Sequence, residues 1–230
     1  MAMLLAVNGV GNFPEFDDSI AARSAWLSAL IEGARYAGDR DVSARDLECV
    51  SFGDLLARPG PAVGARHVRS FVTRAEVRAE VRARITARIE ADTRIVIGHS
   101  LGTVAAYEAL CLLPEHGVRT LITLGSPLGF RHYIRRRLPT RPVNGRHPWP
   151  GVLSRWVNIY DKWDPVVRVK RLSPLFGDGL RIEDIGIDAG PWAHSRRGYL
   201  SSELTAQALG EALWDARRTT PARHLDAAQP

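Results

Sequence analysis

Three residues that lie far apart in the sequence have the chemical types needed to turn a hydroxyl group into a nucleophile. Ser100 lies in the run Gly98-His99-Ser100-Leu101-Gly102, which matches the pattern G-x-S-x-G. Attack on an acyl carbonyl also needs a base that takes the serine proton and a carboxylate that orients this base. His194 and Asp164 supply these types. The chain order Ser100, Asp164, His194 is the order expected when the serine of this pattern comes first.

The residues around Ser100 predict the local structure that such a serine needs. Residues 95–97 are β-branched and predict a buried strand, and residues 103–113 carry the apolar positions of a helix. The serine between them is expected on a sharp, strained turn, where Gly98 and Gly102 pass too close to their neighbours for a side chain. This turn would aim the helix N-terminus at the Ser100 hydroxyl. The alternative is an ordinary glycine-rich turn between a strand and a helix.

The acid and the base each have competitors in the sequence. Asp161 competes with Asp164, and either residue could simply cap a turn. Asp164 is favoured because the sequence Asp-Pro-Val predicts a rigid turn at the end of a strand. Among the seven histidines, His194 alone combines a loop position with a place after the strand that carries the acid. The sequence therefore favours Ser100, Asp164 and His194 as the catalytic set.

An attacked carbonyl develops negative charge on its oxygen, and two backbone N–H groups are needed to stabilise it. One is expected from Leu101, the residue after the nucleophile, and the other from Val10, in the loop that follows the first predicted strand. The sequence Gly9-Val10-Gly11 allows the main chain to approach closely there. The alternative for this loop is a simple tight turn.

The composition is that of a globular protein that does not bind nucleic acid. The chain has 230 residues, a net charge of +6 and 45% hydrophobic residues. The excess charge is nearly all arginine, spread over helices and accompanied by glutamate, and no nucleic-acid-binding motif is present. No apolar run has the length of a transmembrane helix and no signal peptide is indicated, so we expect a cytoplasmic protein. The histidines and cysteines lack zinc-ligand spacing, and we expect neither a metal nor a cofactor.

Strands and helices alternate along the chain, which predicts an α/β fold with a mostly parallel sheet covered on both faces. We expect one domain over residues 1–218 and a flexible tail over residues 219–230. A long arginine-rich helix is predicted over residues 68–91, and a closing helix from Ser195 to about Arg217. Residues 130–154 are rich in arginine and proline and interrupt the alternation, so we expect a lid or surface loop there.

The ordered set of motifs resembles the α/β-hydrolase superfamily, in particular the compact lipase- and esterase-like serine hydrolases with a G-H-S-L-G nucleophile elbow. The five motifs that carry the resemblance are residues 8–12, 98–102, 124–129, 158–166 and 194–200. The resemblance implies a three-layer sandwich that lacks the first two strands of the family. It also implies a lid between the sixth and seventh family strands, where residues 130–154 fall. One departure is Asn8, which stands where many members have histidine.

The resemblance implies a hydrolase that cleaves carboxylic esters through an acyl-enzyme. Two alternatives remain: a thioesterase or an acyltransferase or cyclase that releases an acyl chain from a carrier, and a non-catalytic binding module with the same fold. The expected partner is a small-molecule or acyl-chain ester or thioester, with a carrier protein as a further possibility. The aromatic and arginine residues of the predicted lid could hold an acyl chain and an anionic head group, or the lid could be a solvated basic loop. The residues predicted to contact substrate are Asn8, His99, Phe130, Tyr133, Trp163 and Trp192.

Overall fold

A single parallel sheet positions the residues singled out above. The computed structural model describes residues 2–9, 19–36, 38, 43–56, 63–113, 115–177 and 181–219. The strands are β1 (Leu4–Val7), β2 (Leu47–Val50), β3 (Ile95–His99), β4 (Thr120–Leu124), β5 (Arg155–Asp161) and β6 (Ile182–Ile187). All neighbours in the order β2-β1-β3-β4-β5-β6 run parallel. The predicted α/β class with a parallel sheet is therefore confirmed.

Helices cover both faces of this sheet. They are α1 (Ser19–Tyr36), α2 (Val63–Thr73), α3 (Ala75–Thr86), α4 (Leu101–Leu112), α5 (Arg196–Leu200) and α6 (Glu203–Thr219). Alternate strand residues point to opposite faces. On one face Val96 and Leu121 pack with residues of α2, α3 and α4, and on the other Ile95 and Ile122 pack with residues of α1 and α6. The sheet is thus the middle layer of three, with a core on each side. None of the described helices is long and apolar enough to cross a membrane.

Two predicted helices are each divided in the structure. The prediction of one helix over residues 68–91 is wrong, because Arg74 adopts an extended conformation (φ −105°, ψ 104°) and separates α2 from α3. The two helices pack differently: α3 lies against α4, whereas α2 lines a cavity described below. The closing helix is likewise divided into α5 and α6, which lie on either side of Ser201 and Ser202. Hydrophobic spacing continues across both breaks, so the sequence pattern alone did not reveal them.

The arginine- and proline-rich segment over residues 130–154 forms no long helix or strand. Ile134, Leu138 and Leu153 are nonetheless buried and belong to the core on the α4 face of the sheet. The Tyr107 hydroxyl, on α4, donates a hydrogen bond to the carbonyl oxygen of Pro148 at 2.9 Å. Part of the segment is therefore anchored to the body of the protein, and its role as a lid stays a prediction.

A buried ion pair fixes α4, the helix that begins directly after Ser100. Glu108 on α4 is fully buried and accepts hydrogen bonds from the guanidinium of Arg78 on α3. The more exposed Arg82 donates a further hydrogen bond to the same carboxylate at 3.2 Å. A carboxylate in such a place depends on its partners, because an unpaired buried charge is strongly unfavourable.

We predict that Arg78→Ala lowers the free energy of unfolding by about 3–5 kcal/mol, since the substitution leaves Glu108 buried without its main partner. Chemical denaturation followed by circular dichroism measures this change. The control is the double variant Arg78→Met/Glu108→Leu, which removes both charges and should recover much of the loss. Equal destabilisation by the single and the double variant would contradict the role of the pair.

Candidate active site

Ser100 occupies a strained turn between β3 and α4. Its backbone has φ 53° and ψ −127°, a conformation that residues with a side chain rarely adopt. The Ser100 N–H donates to the Leu124 carbonyl oxygen at 2.9 Å, which ties the turn to β4. A Cβ atom on Gly98 would lie 2.9 Å from the Thr103 Cα, and one on Gly102 would lie 2.4 Å from the Val7 carbonyl oxygen. Both flanking positions therefore require glycine, as the sequence predicted.

The structure brings Ser100, His194 and Asp164 into one chain of hydrogen bonds. Ser100 Oγ lies 3.1 Å from His194 Nε2. His194 Nδ1 lies 2.8 Å from Asp164 Oδ2. Because a carboxylate only accepts, it fixes the histidine tautomer with the proton on Nδ1, which leaves Nε2 free to accept from the serine hydroxyl. Ser100 and Asp164 are buried, whereas the His194 side chain is 30% exposed.

The two candidate acids have different partners. Asp164 follows β5 and accepts a hydrogen bond from the Val166 N–H at 2.8 Å in addition to its contact with His194. Asp161 accepts from the N–H groups of Trp163 and Ala189 at 2.7 and 2.5 Å. The carboxylate of Asp161 therefore joins the end of β5 to the segment after β6. Of these two aspartates, Asp164 is the one that contacts the histidine.

Tyr199 on α5 is a site residue that the sequence did not reveal. Its hydroxyl donates to Asp164 Oδ2 at 2.7 Å and accepts from the Asp161 N–H at 2.9 Å. Burial, followed by the charge of Asp164, raises the pKa of Tyr199 above its usual range, so the phenol keeps its proton and remains a donor. The only signal in the sequence is that Tyr199 lies five residues after His194 on a helix that begins close to it.

One of the two predicted oxyanion donors lies within the described residues. Leu101 is the first residue of α4, so its N–H has no partner within the helix and lies beside the nucleophile. Val10 lies outside the described residues. Its neighbour Gly9 approaches the turn so closely that a Cβ atom there would lie 2.7 Å from the His99 carbonyl oxygen and 2.8 Å from the Ser100 Cβ. The loop after β1 thus begins directly against Ser100.

A cavity of about 1430 Å³ opens onto Ser100 and His194. Of the six residues predicted to contact substrate, it is lined by His99, Phe130, Tyr133 and Trp192. Apolar residues from the helices also line it, namely Ala25, Ala29, Val68, Val72, Leu101 and Leu200.

His99 lines the cavity beside His194. Its ring is 2% exposed, and its centroid lies 5.5 Å from that of His194. Burial, followed by the charge of His194, lowers the pKa of His99 well below its usual range, so this side chain is neutral. His99 therefore adds no charge of its own beside His194.

Asn8 and Trp163 are placed away from the cavity. Asn8 is fully buried, and its side chain donates to Ser51 Oγ at 2.9 Å while its oxygen accepts from the Trp26 Nε1–H at 2.6 Å. A longer hydrogen bond of 3.3 Å comes from Arg196. Trp163 is 68% exposed, and the Lys162 ammonium lies over its ring. Asn8 therefore lies in the core, where its amide holds the end of β1. Neither Asn8 nor Trp163 lines the cavity.

Among the described residues, no group of three or more histidine, cysteine, aspartate or glutamate side chains is arranged to hold a metal ion.

Comparison with known proteins gives similarity to solved structures only. No family model matches the sequence, and no curated protein matches it. The esterase domain of a Rhodothermus marinus protein is 16% identical, with a TM-score of 0.45, covering 94% of this chain and 86% of that one. The thioesterase RedJ of the prodiginine pathway in Streptomyces coelicolor is 16% identical, with a TM-score of 0.41 and coverages of 93% and 90%. The esterase LipW from Mycobacterium marinum is 16% identical, with a TM-score of 0.46 and coverages of 93% and 74%.

These neighbours are named as esterases and a thioesterase.

We predict that Tyr199→Phe slows covalent modification of Ser100 by a fluorophosphonate about tenfold, because Asp164 loses a charge-assisted hydrogen bond that orients it. The rate is followed by intact mass. Tyr160→Phe removes a hydroxyl from β5 without touching either aspartate and serves as the control. A thermal melt establishes that both variants are folded. Identical labelling rates for folded Tyr199→Phe and wild type would show that Tyr199 does not position the acid.

Proposed function

We propose that this protein is a serine hydrolase that cleaves carboxylic esters through an acyl-enzyme. The observation that carries the proposal is the unbroken chain of hydrogen bonds from Asp164 through His194 to Ser100, at a serine held in a strained turn. Acyl transfer needs a nucleophile, a base and an acid that orients the base. The His194 ring can donate to Asp164 from Nδ1 and accept from the Ser100 hydroxyl at Nε2. The sheet order and the nucleophile turn also agree with the superfamily that the sequence resembles.

In the first half of the reaction, Ser100 Oγ attacks the carbonyl carbon of the substrate while His194 Nε2 takes the hydroxyl proton. Asp164 holds the imidazole in its tautomer and stabilises the imidazolium as it forms. The tetrahedral intermediate collapses when His194 returns the proton to the leaving-group oxygen. An alcohol leaves, and the acyl group remains bonded to Ser100.

In the second half, a water molecule takes the place of the alcohol. His194 accepts a proton from this water as its oxygen attacks the acyl-enzyme, and then returns the proton to Ser100 Oγ. The carboxylic acid leaves and the free serine is restored. His194 is the most exposed of the three side chains, which allows water to reach Nε2.

The negative charge on the substrate oxygen is assigned to the N–H groups of Leu101 and Val10. Leu101 has this N–H at the start of α4, where the helix dipole adds to the stabilisation. The close approach of Gly9 to Ser100 supports a donor from the residue that follows it. Loss of one such donor typically costs about 2.7–4 kcal/mol of transition-state stabilisation.

The acyl chain is assigned to the side of the cavity formed by the apolar residues of α1 and α2. Ala25 and Ala29 of α1 and Val68 and Val72 of α2 line it, as do the charged residues Glu32 and Arg69 of the same helices. Burial of a chain against them contributes about 0.8 kcal/mol for each methylene group. A cavity of this size has room for a chain of several carbons beside the leaving group.

We predict that Ser100→Ala abolishes hydrolysis of p-nitrophenyl butyrate and that Asp164→Asn lowers kcat roughly 10³–10⁴-fold, because the amide stabilises the wrong histidine tautomer. The release of p-nitrophenolate is followed by absorbance.

Asp161→Asn is the matched control for Asp164→Asn, since it changes the neighbouring acid in the same way. We expect kcat within about tenfold of wild type together with a lower melting temperature, because two backbone N–H groups lose a charged acceptor. Comparable loss of kcat in both aspartate variants, or undiminished turnover by Ser100→Ala, would refute the proposed mechanism.

A further inference from the structure

A row of four stacked side chains lines the cavity near Ser100. The Phe130 and Tyr133 ring centroids lie 5.0 Å apart. The Arg168 guanidinium lies over Phe130 at 5.9 Å, and the Arg137 guanidinium lies over Tyr133 at 6.0 Å. All four residues face the same cavity as the nucleophile. We call this row the arginine–aromatic ladder; it has a positive charge at each end and two rings between them.

Backbone contacts hold the ladder in place before any substrate binds. The Arg137 guanidinium donates to the carbonyl oxygens of His132 and Tyr133 at 2.5 and 3.3 Å. The turn before Phe130 packs tightly on the segment that carries Arg168, because a Cβ atom on Gly129 would lie 2.5 Å from the Val169 Cβ. This close approach brings Phe130 next to Arg168, although the two residues are far apart in the sequence.

The segment that carries Arg137 contains no acid. The sequence has no aspartate or glutamate between Glu115 and Asp161, a stretch that includes Arg137 and five further arginines of the segment 130–154. Within the described ranges, Arg137 and Arg168 make no ion pair, whereas Arg84 and Arg155 pair with carboxylates. Of the described residues that line the cavity, Glu32 is the one acid. A solvated basic surface would ordinarily intersperse its arginines with acids, as α3 does.

The ladder is formed by the segments that follow β4 and β5, whereas the acyl chain was assigned above to α1 and α2. Arg168 follows Asp164 by four residues, and Asp164 holds the histidine that must protonate the leaving atom. The apolar residues of α1 and α2 provide a separate place for the acyl chain. An anion near the ladder would therefore belong to the leaving group of the substrate.

We propose that Arg137 and Arg168, positioned by Phe130 and Tyr133, form a subsite for an anionic group, a phosphate or a carboxylate, on the leaving group of the substrate. This inference rests on the proposed function and narrows it. The preferred substrates are acyl esters or thioesters whose alcohol or thiol carries negative charge. Guanidinium groups suit this task, since they offer paired N–H donors to phosphate and carboxylate oxygens and keep their charge at all working pH values.

The test compares three thioesters that share one butyryl group and differ in the leaving group. S-butyryl-N-acetylcysteamine is neutral, butyryl-coenzyme A carries phosphates, and S-butyryl-3-mercaptopropionate carries one carboxylate. We measure kcat/KM for each and express preference as the ratio of an anionic to the neutral substrate. Comparison of the two anionic thioesters shows whether the subsite prefers phosphate or carboxylate.

We expect wild type to prefer at least one anionic thioester by tenfold or more, and Arg137→Gln or Arg168→Gln to lower this preference by about tenfold. The matched control is Arg136→Gln, since Arg136 adjoins Arg137 in the same turn, is exposed and does not line the cavity. Its preference should equal that of wild type. Raising the ionic strength should lower the preference of wild type, because salt screens exposed charges.

Two results would overturn the subsite alone: turnover of the three thioesters at equal kcat/KM, or equal loss of preference in Arg136→Gln and Arg137→Gln. The second result would show that the substrate preference depends on the net charge of the protein and not on the position of Arg137. Failure of wild type to hydrolyse any of the thioesters or p-nitrophenyl butyrate would instead overturn the proposed function, and the subsite with it.

Discussion

The close packing of main chain around Ser100 is the constraint on which the rest of the structure depends. The turn places a residue with a side chain at φ 53°, which costs about 1–3 kcal/mol relative to an unstrained conformation. The surrounding chain must supply this energy. The Ser100 N–H bonds to Leu124 on β4, and Gly102 lies against the carbonyl oxygens of Val7 and Asn8 at the end of β1. The nucleophile is thus held by the strands on both sides of its own.

The other site residues follow from the same sheet edge. Asp164 comes after β5 and His194 after β6, so the carboxyl ends of neighbouring parallel strands deliver them to one place. Asp161 and Tyr199 join these two segments by hydrogen bonds that bypass the histidine. The positions of Ser100, Asp164 and His194 therefore depend on the strands that end at this edge of the sheet. They also depend on a short network of hydrogen bonds between the loops.

The sequence predicted the α/β class, the parallel sheet and the flanking glycines of the turn because each has a local signal. Hydrophobic runs mark the buried strands, and G-x-S-x-G marks a turn where glycine is required twice. The assembly of Ser100, Asp164 and His194 followed from their order along the chain, since parallel strands end at a common edge.

What the sequence did not predict depends on contacts between distant residues. Asn8 was expected to meet substrate, yet Trp26 and Ser51 take up its amide in the core. Tyr199 meets Asp164 only because α5 packs beside β5, and no spacing rule indicates this contact. The break at Arg74 is hidden because apolar residues keep helical spacing across it, although α3 lies against α4 and α2 lines the cavity. Tertiary packing determines these contacts and the helix break, and the periodicity of the sequence does not indicate how distant segments pack.

The central claim is that Ser100 is an activated nucleophile, and covalent labelling with a fluorophosphonate followed by peptide mapping tests it most directly. The account predicts one adduct per chain on wild type, located on Ser100, with much slower labelling of His194→Ala and none of Ser100→Ala. A folded wild-type protein that gives no adduct, or whose adduct maps to a different serine, would contradict it.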